Sequence, residues 1–343
     1  MSEAPAVSSS GPRRARLRDV AEAAGVDPSV VSRVLSGDGR LSIRPETRQR
    51  VLAAAARLEY RPNRAAQTLK TARTMAIGMV VPDLANPAFA LVAEGAERCG
   101  ADAGYALVLI RRTEGGRLDD LVGRVDGLLV AAATSDVSYR RELFGGLPAV
   151  LVNRREPGEI PSVVVDDEGG SALAVRHLLS LGHRRIAHVA GPQTADTARR
   201  RLAGWRLALA EAGLEPEQDA VIEASAFDEA AADRAAEALL AGAARPTAVF
   251  AANIRLATGT LAAAHRLGLE VPRDLSIVGF DDHPLAAYLH PPLTTIRMPL
   301  VELGAAAVES LLDEIDGRRA ESRLVDTPAE LVIRASTAKP GRA

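Results

Sequence analysis

Cysteine occurs once in the chain, at Cys99, which excludes an intrachain disulfide and any metal site built on several thiolates. Cys99 itself reads as a small residue packed on a helix. Aromatic residues make up only 3% of the sequence, so Ala, Val and Leu have to build the cores. No stretch reaches the ~18 consecutive uncharged apolar residues of a membrane helix. The opening residues MSEAPAVSSSGPRRAR contain no continuous apolar segment of the kind a signal peptide needs. These absences predict a soluble, cytoplasmic protein with no membrane partner.

Catalytic fingerprints are missing as well. No strand is followed by G-x-G-x-x-G, and G-x-x-x-x-G-K-[ST], H-E-x-x-H and G-x-S-x-G do not occur. The six histidines are scattered, and His177, His183 and His188 fall on a helix, a turn and a strand, where structural roles are expected. Asp281 and Asp282 are adjacent on a loop after a strand, so their carboxyl groups point apart and form no general acid/base pair. The expectation is no enzyme, no cofactor and no metal site.

What the chain does have is an uneven distribution of charge. Fourteen Lys/Arg face seven Asp/Glu up to Thr74, a net of +7 that leaves −9 for the rest of a chain whose total is −2. A basic head on an acidic body suggests that the head meets a polyanion. With 343 residues and 47% hydrophobic content, the chain can build two or three domains with real cores.

The organising stretch runs from Ala15 to Thr71. LRDVAEAAGVDPSVVSRVL (17–35) reads as two short helices joined by a turn at Gly25-Val26-Asp27, with Val20, Ala21, Ala24, Val26, Val31, Val34 and Leu35 forming the shared apolar face. Asp27 is placed to cap the second helix, and Pro28 takes its first position, where a missing N–H costs nothing. This is the outline of a helix-turn-helix, whose second helix would enter a major groove. After a loop at 36–44, residues 45–60 form a third helix with Val51, Leu52, Ala55 and Leu58 on one face. Arg61-Pro62 ends it. The segment NRAAQTLKT (63–71) has helical propensity but little to bury, so it should fold only against a partner. Residues 1–14 are expected to be a disordered tail.

From Met75 short apolar runs alternate with helical patterns. The runs are 75–81, 105–110, 127–132, 148–152 and 162–165, then 185–190, 219–224, 247–252 and 275–280. The interleaved helices are expected at 89–103, 118–124 and 137–144, and then at 170–181, 197–212, 229–241 and 256–267. Such runs are the mark of parallel strands buried on both faces, and two series mean two α/β subdomains. A helix at 301–315 and a strand at 330–334 remain to be shared between them.

Nine strings in order carry a resemblance: the helix-turn-helix head, NRAAQTLKT, VVPDLANPAFA (80–90), RVDGLLV (124–130), HLLSLGHRRIAHVAGP (177–192), RRLAGWRLAL (200–209), PTAVFAAN (246–253), VPRDLSIVGFDD (271–282) and PPLTTIR (291–297). From about Leu17 to Arg334 the chain resembles the lactose/galactose/purine repressor family of bacterial transcription regulators. The resemblance implies a small all-α head (15–61), a hinge helix and linker (62–74), and an effector-binding and dimerisation domain (75–335) of two doubly wound parallel-sheet subdomains around a cleft. The N-subdomain would span about 75–165 and 296–327, the C-subdomain about 166–295 and 328–335, and 336–343 would be a tail. Without apolar heptads there, no C-terminal coiled coil and no tetramer through one are expected.

In the head, the resemblance assigns Pro28, Ser29 and Arg33 to base edges, with Arg33 suited to a bidentate contact with guanine. Ser32, Thr47, Asn63 and Arg64 are candidates for phosphate or sugar contacts. Leu69 takes the hinge position that the family inserts into the minor groove to bend the duplex. The implied partners are a double-stranded DNA operator, a homodimeric second copy and a small-molecule effector such as a sugar.

For that effector the family pattern points Asp83, Asn86, Phe89, Asn153, Arg201, Phe227, Asn253 and Asp281 into the cleft. Arg201 sits in a run with Arg199 and Arg200, and such runs usually face solvent. Trp205 continues a helical stripe with Leu202 and Leu209 and reads as packing. Three departures stand out: a loop at 36–44 about two residues longer than the family spacing, a short basic segment at 111–120, and Ile254-Arg255 where the family has Asp after the Asn. The last argues against an ordinary sugar-hydroxyl network and leaves open an anionic effector or none. A small-molecule sensor without operator binding is the alternative reading.

Overall fold

The computed structural model describes residues 15–35, 42–60, 73–112, 118–132, 139–156, 158–215, 217, 219–242 and 245–341. They belong to two compact units, one through Thr74 and one from Met75.

The first unit holds α1 (Leu17–Ala24), α2 (Pro28–Leu35) and α3 (Pro45–Arg57). Gly25 ends α1 in the left-handed region at φ 64°, where glycine carries no Cβ penalty. Asp27 then caps α2, its Oδ1 accepting the Ser29 N–H at 2.8 Å. Val20, Ala21 and Ala24 of α1, Val31 and Val34 of α2, and Val51, Ala54 and Ala55 of α3 make one buried core. Leu52, expected on the inner face of α3, is instead 48% exposed. The buried stripe runs Val51, Ala54, Ala55 with Leu58 packed against it, a 3-and-4 spacing that leaves position 52 about a quarter-turn outside.

The second unit contains two six-stranded sheets among the described residues. In the N-lobe, β1 (Ala76–Val81), β2 (Ala106–Arg111), β3 (Gly127–Val130), β4 (Ala149–Val152) and β5 (Ser162–Val164) are joined by β11 (Arg323–Leu324) in the order β11-β5-β4-β3-β1-β2, all parallel. In the C-lobe, β6 (Ile186–Ala190), β7 (Val221–Glu223), β8 (Ala248–Ala251), β9 (Ser276–Phe280) and β10 (Thr294–Arg297) run parallel, and β12 (Glu330–Val332) closes the edge antiparallel to β10, in the order β12-β10-β9-β8-β6-β7. Both lobes thus reverse strand order beside their first strand, at β1/β3 and β6/β8. In doubly wound sheets that reversal opens a crevice at the carboxyl ends of the strands.

Helices α4 (Ala88–Asp102) and α9 (Leu300–Ile315) cover the N-lobe sheet, while α5 (Asp167–Ser180), α6 (Asp196–Glu211), α7 (Glu229–Leu240) and α8 (Ile254–Arg266) flank the C-lobe. Helices α4 and α9 approach so closely that a Cβ on Gly95 would fall 1.8 Å from the Val301 carbonyl oxygen, and one on Gly304 2.0 Å from that of Val92. The chain crosses between lobes after β5, after β10 and after β11. Residues 296 and 297, expected in the N-lobe, stay in β10 and place the middle crossover at 298–299.

Three further expectations change. The connections after β2 and β3 contain, among the described residues, only the 3-10 turns Asp119–Leu121 and Arg141–Phe144 in place of helices at 118–124 and 137–144. Gly123, Gly145 and Gly146 hold positive φ there, which interrupts helical propagation. Strand β2, expected to be buried on both faces, is the sheet edge and exposes Val108 and Leu109. Nor are residues 336–338 part of a loose tail: Ser336 is fully buried, donates to the Ile277 carbonyl at 2.6 Å and accepts from the Thr294 N–H at 2.8 Å.

Candidate DNA interface and ligand cleft

Helix α2 is amphipathic with a consistent outer face. Val31 and Val34 are buried, whereas Ser29 and Arg33 are exposed and Pro28 and Ser32 half-buried on the opposite side. Successive turns therefore bring Ser29, Ser32 and Arg33 to one solvent-facing stripe. Thr47, half-buried, stands in the first turn of α3. The Ser29 hydroxyl donates to Asp27 Oδ1 at 2.6 Å, and with the Ser29 N–H it holds that carboxyl below the usual range. Ser29 is thus oriented by the cap of its own helix. Asn63, Arg64 and Leu69, and with them the expected hinge, lie outside the described residues.

All eight sequence-selected cleft residues line one cavity of about 580 Å³ in the second unit. Asp83, Asn86 and Phe89 follow β1, Asn153 follows β4, Phe227 follows β7, Asn253 follows β8 and Asp281 follows β9, so each comes from the carboxyl end of a strand; Arg201 comes from α6. Asn153 and Asp281 adopt left-handed backbone angles, φ 50° and 63°, which Asn and Asp tolerate better than other non-glycine residues. That turn is what swings their side chains out of the sheet.

Several of these groups are already engaged. Asn253 Oδ1 accepts the Leu256 N–H at 2.7 Å and caps α8, Asn86 Oδ1 accepts the Ala88 N–H at 3.1 Å, and Asn153 Oδ1 accepts the Val165 N–H at 3.2 Å. Each amide keeps its NH2 group to offer to a ligand. Arg201 is not solvated as its neighbours in the run suggested. It is buried, with Nε donating to Asp167 Oδ1 at 2.7 Å, Nη1 to Asp281 Oδ2 at 3.1 Å and Nη1 to the Ala252 carbonyl at 2.5 Å, while its guanidinium lies 4.1 Å over the Phe280 ring. Burial works against its charge, but Asp281 and Asp167 offset this and raise its pKa. Burial raises the Asp281 carboxyl in spite of Arg201.

Sequence reasoning missed Arg154, which also lines the cavity. It is buried, donates to the Asn153 carbonyl at 2.8 Å, and is pushed down to about 10 by burial against the pull of Asp167. Asp167, wholly buried at the start of α5, was missed too. Asp282 does point away from Asp281, to Thr295, Arg297 and Arg334. Trp205 is fully buried. His188 lies flat between Phe250 and Trp205, with ring centroids 4.8 and 6.1 Å away, and His183 bridges Thr247 to the Ala338 carbonyl. Among the described residues no cluster of His, Cys, Asp or Glu could hold a metal ion, and no helix is long and apolar enough to cross a membrane.

A three-helix head that exposes Arg33 on its second helix, followed by two lobes around a cleft, occurs in proteins of known role. Residues 16–63 match the bacterial regulatory proteins of the lacI family, and residues 175–337 match the periplasmic binding protein-like domain. The HTH-type transcriptional regulator MalR of Streptomyces coelicolor is 39% identical over 344 residues, covering 95% of this chain and 98% of that protein. The chain belongs to the LacI family. It is a DNA-binding transcription regulator with a helix-turn-helix head.

Other LacI-family relatives include the transcriptional repressor PurR of Photobacterium profundum, 35% identical over 332 residues that cover 94% of this chain and 98% of that protein. Among solved structures, the lac repressor dimer bound to operator and the anti-inducer ONPF superposes with TM-score 0.78 at 30% identity, covering 95% of this chain and all of that one (100%). The transcriptional regulator CelR–cellobiose complex superposes with TM-score 0.70 at 32% identity, covering 94% and 100%.

Proposed function

We propose that this LacI-family regulator is a homodimeric repressor whose operator affinity is set by a small, uncharged, hydroxyl-rich molecule bound between the two lobes. The observation that carries the reading is the composition of the cavity. Phe89 and Phe227 supply apolar walls from opposite lobes, three Asn side chains offer N–H groups, and Arg201 and Asp281 neutralise one another. A free anion would find Arg201 already matched and Arg154 turned onto the Asn153 carbonyl under the field of Asp167, and a cation would find Asp83 and Asp281 already matched. A sugar, with oxygens on its edges and C–H on its faces, fits donors and aromatic rings together. The cellobiose of the CelR structure and the ribose of a LacI-family regulator from Enterococcus faecium are ligands of that kind.

Arg33, Pro28 and Ser29 are the base-reading side of α2 in this account, and Ser32, Thr47, Asn63 and Arg64 hold phosphate or sugar. Leu69 enters the minor groove when the hinge folds on DNA. Two-fold symmetry follows because one head reads one half-site. Exposed Leu84, Val108 and Leu109 on the N-lobe and Leu285 and Tyr288 on the C-lobe supply apolar surface for the second copy. No catalytic role is assigned to any residue. A thermal-shift screen against neutral mono- and disaccharides, sugar phosphates and nucleobases tests the ligand class. Stabilisation by a neutral sugar is expected, and a response confined to phosphorylated compounds would overturn it.

A further inference from the structure

Arg255 stands in the first turn of α8, where the helix dipole favours anions and not cations, so helix stability does not explain it. Its guanidinium is forked onto Glu229 at the start of α7, with Nε to Oε1 at 2.8 Å and Nη2 to Oε2 at 2.6 Å. Both partners belong to the C-lobe. The remaining prong, Nη1, reaches Asp83 Oδ2 at 2.5 Å, and Asp83 belongs to the N-lobe, in the loop that follows β1. Asp83 is itself held by the Ala85 N–H on its Oδ1 at 2.9 Å. The triad is therefore a fixed arm on one lobe engaging a fixed acceptor on the other.

We propose that Asp83, Arg255 and Glu229 form an electrostatic latch that holds the two lobes together across the cleft when no ligand is bound. Other charged and polar bridges between the lobes, among the described residues, differ in place. Arg199 to Glu156 at 3.2 Å and Arg200 to Asn153 Oδ1 at 3.1 Å come from residues beside the crossover between β5 and α5, where the covalent chain already restrains the lobes. The latch instead joins the loop after β1 to the first turns of α7 and α8. Arg255 side-chain exposure is 13%, whereas Asp83 and Glu229 are 46% and 47% exposed, so the interaction is accessible to salt and to a competing ligand. An entering molecule must displace the Arg255 prong from Asp83 or bind beside it. The latch thus sets how far ligand binding can move the lobes, and with them operator affinity; that consequence rests on the effector reading above, whereas the latch itself does not.

Hydrogen–deuterium exchange of the full-length protein without ligand tests it, reading peptides over residues 83–92 on one lobe and 225–232 on the other. Asp83→Asn and Arg255→Gln are each expected to speed exchange on both lobes by about two- to fivefold, the scale of one partly exposed ion pair. The double variant should exchange no faster than either single one, and wild type in about 0.5 M salt should behave as the variants do. If each substitution affects only the lobe that carries it, or neither has any effect, the latch is refuted. Retained far-UV helicity and a cooperative thermal melt separate this outcome from misfolding.

Discussion

Arg201 grips Asp281 with two prongs, Nη1 to Oδ2 at 3.1 Å and Nη2 to Oδ1 at 3.3 Å, tying α6 to the end of β9 in the buried wall of the cleft. The same guanidinium holds Asp167 Oδ1 at 2.7 Å, while Arg200 Nη1 grips Asp167 Oδ2 at 2.6 Å, so the two buried carboxylates and their arginines form one network. Removing one partner of such a network leaves uncompensated charge out of water, at a cost of about 3–5 kcal/mol. Arg201→Met should lower urea-unfolding stability by that amount. Arg201→Lys keeps the charge but not the fork and should lose less. A methionine variant as stable as the parent would contradict the assignment.

Gly191 ends the β6 segment where the Phe227 ring forms the cavity wall, and a Cβ at position 191 would fall 2.1 Å from that ring. Gly191→Ala should therefore push Phe227 into the cavity. We expect a folded protein whose melting temperature no longer rises with the ligand that stabilises wild type. An unchanged ligand response would show that the ring is not part of the binding surface.

His188 carries a pH signature. Burial pushes its imidazole down to about 4, and its Nδ1–H donates to the Phe250 carbonyl at 2.9 Å. Unfolded, the ring takes up its proton near pH 6.5. Between those values the unfolded chain binds a proton that the folded one refuses, so stability is full above about pH 6.5 and falls as pH drops toward 4. The loss amounts to about 3 kcal/mol at most. His177 and His183 are also lowered by burial and add in the same direction. His188→Phe, which keeps a stacked ring, should flatten the stability-versus-pH curve in this window by up to about one proton. An unaltered slope would refute a neutral buried His188.

Arg33 is the long cation on the outer face of α2. Arg33→Ala should weaken operator binding by about 1–3 kcal/mol and relax preference at one base pair per half-site, whereas Thr47→Val should weaken all sequences alike. Competitive gel shifts against operators substituted one base pair at a time distinguish the two.

How much of this was legible in the sequence depends on how local the cause is. The cap of α2 could be read because Asp27, Pro28 and the Val31/Val34 stripe lie within eight positions. Strands showed as apolar runs, but sheet order did not, so β2 read as buried like its neighbours although it is an edge. The eight cleft residues were selected by family resemblance, and their meeting around one cavity follows because all but Arg201, which comes from α6, follow the carboxyl end of a strand. Arg201 was pointed into the cleft by resemblance, while its run with Arg199 and Arg200 suggested a solvated face, because its partners are 34 and 80 positions away. Arg154 and Asp167 gave no signal for the same reason: a buried charge is defined by what folds over it. The exchange of the family carboxylate for Ile254-Arg255 was visible, but not that Arg255 would find Asp83 across the cleft.

The central claim is that a molecule in the cleft alters the grip of the head on DNA. The most direct measurement is a fluorescence-anisotropy titration of a labelled duplex from the chain's own upstream region, at one salt concentration, with and without the sugar that gives the largest thermal shift. The account predicts a saturable, sequence-specific complex whose Kd changes at least about fivefold on adding ligand, in the range of ordinary coupling energies. It also predicts that Leu69→Ala binds the ligand as wild type does while holding operator much more weakly. An operator Kd that is the same with and without a ligand shown to occupy the cleft would contradict it.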